Sequence, residues 1–216
     1  MTIEILFVIA ALILSIIIHE VSHGYVAQML GDPTARLAGR LTLNPLKHID
    51  PVGSILIPGI LVLTGAQILF GWAKPVPYNP YNLRNARWGE ALVAGAGPLV
   101  NLFIAVVFGL LIRFSSTFAL GDAFVQISSV IVYINILLAL SNLIPIPPLD
   151  GSKVLKSILP FQLSQSYARF EGSMARYGLF AAFGFLFLFI FLLWPFFAAL
   201  ISFIFTLITG VSFFQT

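Results

Sequence analysis

The sequence predicts an all-α polytopic membrane protein, and three observations carry that prediction. Of 216 residues, 59% are hydrophobic and only 9% are charged, with a mean hydropathy of +1.02; a soluble domain is about 25% charged. Long uncharged runs recur along the chain and are each long enough to cross a hydrocarbon core of about 30 Å. The eleven Lys and Arg stand singly between those runs, as in loops on an inner membrane face and unlike a nucleic-acid-binding stripe. So little polar mass leaves no second soluble domain, and 1–216 reads as a single transmembrane domain.

About five to six apolar helical segments are expected. The first, 3–30, lacks the basic start of a signal peptide, carries Glu4 instead, and is read as a retained span. Runs 91–112, 124–144 and 177–194 follow. Segment 52–72 is long enough to cross but carries Pro58-Gly59 and Gly65 near its middle. If it is re-entrant, 31–90 and 150–176 share one side with ten of the eleven cations, and only Arg113 faces the other way. If it crosses, the split is seven to four. The positive-inside rule favours a re-entrant or membrane-associated 31–90 region, a cytoplasmic location for it, and an N-terminus outside. "GWAKPVPYNPYN" is too proline-rich for helix and is expected to hold short extended pieces. Segment 195–211 follows Trp194-Pro195 directly and admits three readings: a kinked continuation, a returning span or a surface helix.

The chemistry is concentrated in "IIHEVSHGY" (17–25). Ionisable residues inside an apolar helix cost about 2.5–3.5 kcal/mol each even on the lenient insertion scale and mark function by default. His19 and His23 are four apart, so on a helix they project from one face, where two imidazoles can hold one zinc with Glu20 beside them as general base. The chain has no cysteine, so any metal must be held by His, Asp, Glu or other oxygen donors. A third ligand must come from His48, Asp32, Asp50, Glu90, Asp122, Asp150 or Glu171. Asp150 stands out because it ends "NLIPIPPLDG" (142–151), where three prolines break an apolar helix and free its carbonyls. An ordinary helix exit would also explain it. His19 lies sixteen residues after Ile3, about 24 Å along the helix, so Asp150 reaches the same end only if 52–72 is re-entrant.

HEVSH in the first run, "GAGPLVN" in a middle one and "NLIPIPPLDG" closing a later one together resemble the site-2 protease family of intramembrane zinc metalloproteases. The family pattern pairs HExxH with NxxPxxxLDG, matched here by Asn142, Pro145, Leu149, Asp150 and Gly151. The resemblance spans residues 3–155, leaving helical segments in 177–211 as a C-terminal addition to a single transmembrane metalloprotease domain. It implies one Zn2+ per chain held by His19, His23 and Asp150, with Glu20 activating water. It further implies that Asn142 and Asn101 help position the substrate or its oxyanion. His48 is an alternative ligand, a support behind the ligands, or a plain loop residue. The expected substrates are membrane-spanning proteins cut in or near their spans, in a prokaryotic cytoplasmic membrane with the active site open to the cytoplasm. Nucleic acid is not expected as a partner, and the oligomeric state is left open. Rival readings are a metal transporter or permease using the same ligands, and a catalytically silent membrane adaptor.

Overall fold

The computed structural model describes residues 2–64, 72–188 and 192–212. Its contacts divide the chain into two units, Met1–Val100 and Asn101–Thr216. All regular structure among the described residues is helical, with no strand. Among the described residues three stretches are long and apolar enough to cross a membrane: Ile5–Met29, Arg87–Arg113 and Asp122–Asn142. They lie in helices α1 (Thr2–Met29), α4 (Ala86–Arg113) and α5 (Asp122–Asn142).

The first unit is built from α1, the short α2 (Thr34–Leu37), α3 (Ile57–Leu63) and the first half of α4. Between them the chain is shaped by Asx caps. The Asn44 side chain accepts from Leu46 N, Asp50 from Val52 and Gly53 N, Asn79 from Tyr81 N, and Asn85 from Arg87 and Trp88 N. Each satisfies donors that a helix or turn start leaves open. The 52–72 run begins as a wide helical turn, Pro51–Leu56, that tightens into α3; its remainder, 65–71, lies outside the described residues.

Among the described residues the expected extended pieces form no sheet. Residues 72–79 are a strip whose backbone groups are taken one by one from inside the unit. Trp72 N donates to Gly53 O at 3.1 Å, Lys74 N to His48 O at 2.9 Å, and Asn79 N to Asp32 Oδ2 at 2.6 Å. Prolines at 75, 77 and 80 remove the donors a ladder would need.

Asp32 anchors this arrangement. It is wholly buried and accepts from Thr34 N, Thr34 Oγ1, Asn79 N and Asn82 Nδ2. Burial raises its pKa, but the bonds from Thr34, Asn82 and Asn79 outweigh that and hold the carboxyl below its ordinary range. As a candidate third metal ligand it is already spent on the loop.

The second unit packs Ala105 and Ile112 of α4, Val132 and Ile136 of α5, and Phe197, Ile201 and Phe205 of α8 (Trp194–Thr209) into one core. The described part of run 195–211 is thus helical, and the residues that link it to the preceding run, 189–191, lie outside the described residues. Pro195 opens α8 at a position where a missing N–H costs nothing. Its buried residues recur every fourth position, one face laid against α5. The 177–194 run starts earlier than its apolarity suggests: α7 spans Phe161–Leu188 and breaks at Gly178, whose φ of 48° lies in the left-handed region. Between α5 and α7, α6 (Asp150–Ile158) is tied to α7 by Lys156–Glu171 at 3.4 Å.

Because the Asp32 carboxyl is held below its ordinary range, its contribution is complete above the unfolded-state value and fades as pH falls through the folded one. Asp32→Asn is expected to lower stability by about 1–3 kcal/mol at neutral pH. The gap from wild type should narrow in melts run below the ordinary aspartate range. A gap that is constant with pH would refute this.

Candidate metal centre

Helix α1 is amphipathic in reverse. Ser15, His19, His23 and Ala27 recur every fourth residue and are buried, while Ile5, Leu6, Ile9 and Ile13 are exposed. In lipid this is the stable arrangement, since apolar side chains match the solvent and polar ones need partners inside.

One of those partners is visible. His23 Nδ1 lies 2.7 Å from the carbonyl of Val93 in α4. A carbonyl only accepts, so Nδ1 carries the proton and Nε2 is the basic nitrogen of the ring, the one that can ligate a cation. The His19 and His23 rings stand edge to face, 88° apart with centroids at 4.7 Å. Both turn towards Gly97. A Cβ built there would fall 2.5 Å from His19 Nε2 and 2.6 Å from His23 Nε2. His19 Cε1 is equally near, at 2.5 Å, so the edges of both rings pack against the Gly97 backbone and bring their two Nε2 atoms close together there. Only glycine leaves room for them. The donor set and the tautomer fit a zinc ion.

Glu20 lies between the two histidines in sequence and is half-buried. Its Oε2 accepts the backbone N–H of Val76 at 2.9 Å. One carboxylate oxygen is thereby fixed to the strip, and the other remains to meet a water or a peptide.

In the second unit, Asp150 is the first residue of α6 and is buried. The glycine that follows it is a packing requirement. A Cβ on Gly151 would lie 2.2 Å from the Leu143 carbonyl oxygen and 2.6 Å from that of Ile144, so α6 can start against the broken end of α5 only with glycine there. The Asn142 side chain donates to Leu138 O in its own helix at 2.9 Å. Asn101 and Asn135 are both wholly buried, and Asn101 Nδ2 donates to Asn135 Oδ1 at 2.7 Å. That bond gives Asn101 a role in joining α4 to α5. His48 is buried with Nε2 donating to Thr42 O at 2.8 Å while its own carbonyl accepts Lys74 N, so it organises the loop. The structure therefore groups His19, Glu20 and His23 in one unit, with Val76 and Gly97 as contributors that spacing alone does not single out. "GAGP" reads in sequence only as a close-packing stretch, and nothing local marks Val76.

A model described as peptidase family M50 matches residues 117–185, which include Asp150 and Gly151. The chain is 38% identical over 160 residues to "Putative zinc metalloprotease YwhC" of Bacillus subtilis, covering 71% of this chain and 69% of that one. It is 32% identical over 154 residues to "Putative zinc metalloprotease Rip2" of Mycolicibacterium smegmatis, covering 69% of this chain and 56% of the relative. A shorter match, 44% over 64 residues, is to "Putative zinc metalloprotease MJ0611" of Methanocaldococcus jannaschii. The chain spans only a little over half the length of the mycobacterial relative. No solved structure matches it. With more than two thirds of both chains aligned to the Bacillus protein, the chain belongs to peptidase family M50, the site-2 protease family of zinc metalloproteases.

Proposed function

We propose that the chain is an intramembrane endopeptidase that hydrolyses peptide bonds in or near membrane-spanning segments of other proteins. The observation that carries this is the pair of imidazoles facing Gly97 with Glu20 beside them on the same helix turn. Asp150 is proposed as the third ligand on the pairing of HEVSH with NLIPIPPLDG. A bound zinc ion supplies positive charge that acidifies water and polarises the scissile carbonyl.

The chain's own residues do the rest. Val93 holds the His23 ring in its donating tautomer. Glu20, one oxygen secured by Val76, takes a proton from the attacking water with the other and passes it to the leaving nitrogen. The substrate must arrive unwound, because a helical peptide carbonyl is already hydrogen-bonded. Such a substrate could pair by strand addition with an extended piece at 39–48 or 72–79, and 72–79 is the poorer edge. Its alternate N–H groups at Trp72, Lys74 and Val76 are used inward, and the intervening Pro75 and Pro77 have none to offer. Segment 39–48 is the better candidate.

Three crossings through α1, α4 and α5 would put residues 30–87 and 143–176 on one side, with ten of eleven cations. By the positive-inside rule that side is cytoplasmic. His23 lies six residues before Met29, about 9 Å from the inner end of its span, so water would reach the site from the cytoplasm. A prokaryotic cytoplasmic membrane is the proposed location.

Purified protein with a membrane-spanning peptide panel tests these roles. Glu20→Gln should keep one zinc per chain and lose about 10²–10⁴-fold in rate; Asp150→Ala should lose the zinc. Wild-type cleavage by Glu20→Gln would overturn the mechanism. Gly97→Ala should displace both rings and lower zinc occupancy. A variant that binds zinc and cleaves as wild type does would show that Gly97 does not shape the site.

A further inference from the structure

Arg40 is counted from sequence among the loop cations, yet the structure buries it to 7% exposure. A buried guanidinium in a chain this poor in charge needs compensation. No carboxylate among the described residues supplies it. Instead Nη2 donates to two successive carbonyls, Lys74 O at 2.7 Å and Pro75 O at 3.3 Å, while Nε is buried without a hydrogen-bond partner. A neutral side chain would fill this space without that desolvation cost.

What the charge grips is informative. The Pro75 carbonyl and the Val76 N–H belong to one planar peptide group. Arg40 therefore holds the oxygen end of the same group whose N–H end reaches Glu20 Oε2 at 2.9 Å. Polarising a carbonyl strengthens the donor across the amide. Val76 is also the only residue of 75–77 with an N–H, since its neighbours are both proline. A slip of the strip by one residue would leave Glu20 facing no donor.

We propose that Arg40 is a positioning residue for Glu20, acting through the Pro75–Val76 peptide group. This rests on the assignment of Glu20 as the base. Without the guanidinium the strip loses its hold at Lys74 and Pro75, and the Glu20 carboxylate swings off the geometry that hydrolysis needs. The zinc ligands are untouched.

The test uses Arg40→Met, Arg40→Lys and Val76→Pro in the full chain. In metal-free protein, amide exchange over 73–79 should rise about tenfold or more in Arg40→Met, with α5, α8 and Tm unchanged. In zinc-loaded protein with a membrane-spanning peptide, kcat should fall about 10–100-fold with KM within about twofold and one zinc retained. Arg40→Lys should recover much of that loss, because one ammonium can reach the same carbonyls. Val76→Pro, which removes the N–H that Glu20 accepts, should lower kcat at least as much and not add to Arg40→Met. Unchanged exchange over 73–79 with wild-type kcat in Arg40→Met overturns the proposal. So does a loss that tracks zinc and Tm and is not recovered by lysine, because that marks Arg40 as structural. Cleavage by Glu20→Gln would instead sink the base assignment while leaving the exchange result to stand or fall separately.

Discussion

A single hydrogen bond, from His23 Nδ1 to the Val93 carbonyl, ties the chemistry of α1 to the shape of α4. It settles which nitrogen carries the proton, and so which one can bind a cation. It also brings the imidazoles against α4 at the one place, Gly97, where no side chain blocks them. Pro98, the next residue, removes the N–H that would bond the Ala94 carbonyl, so the helix is loosened in its pairing just where it meets the histidines. Leaving a buried imidazole N–H without this acceptor would cost about 1–3 kcal/mol. The tautomer, the glycine and the proline are one constraint seen from three sides.

The same economy governs the strip at 72–79. It has neither helical nor ladder bonds of its own, and its groups are satisfied by parts of the chain that are remote in sequence. Gly53 and His48 give carbonyls, Arg40 gives a guanidinium, Glu20 and Asp32 give carboxylates. Two of those partners are acidic residues in or just beyond the helix carrying the histidines. The strip is thus built onto α1 at two points, and its inward edge is committed before any substrate arrives.

Much of the site was legible because its parts are close in sequence. HEVSH needs only a helix to place its three side chains, and a helix is what a long apolar run in lipid must be. The LDG turn was legible as a proline-broken exit, although the reason for its glycine, the contact with the Leu143 and Ile144 carbonyls, needed coordinates. Arg40, Asp32 and Val76 were not legible. Apart from the Asp32 bonds to Thr34, their partners lie 34 to 56 residues away, and no periodicity encodes a contact so distant. Among the described residues three stretches, in α1, α4 and α5, are long and apolar enough to cross. The described parts of 52–72 and 195–211 form α3 and α8, which are shorter than those.

In a soluble helix the apolar stripe marks the interior, and functional polar residues are exceptions to it. Here polar residues share the interior with apolar ones. Ser15, His19 and His23 of α1 are buried together with Ile17 and Val21, and Ser128, Ser129 and Asn135 lie on the buried side of α5 with Val132 and Ile136, while Ile5, Leu6, Ile9 and Ile13 of α1 are exposed. Most such residues are explained by packing alone: Ser129 Oγ returns to the Val125 carbonyl, and Asn101 and Asn135 satisfy each other. What separates the candidate site from these is the kind of groups that meet there. His23 gives its Nδ1 proton to Val93 and carries its basic nitrogen beside that of His19 at Gly97, and Glu20, on the same helix turn, gives one carboxylate oxygen to the Val76 N–H. Hydroxyls and amides that bond to one another hold helices together; two basic imidazole nitrogens with a carboxylate beside them are a donor set that can act on something that enters.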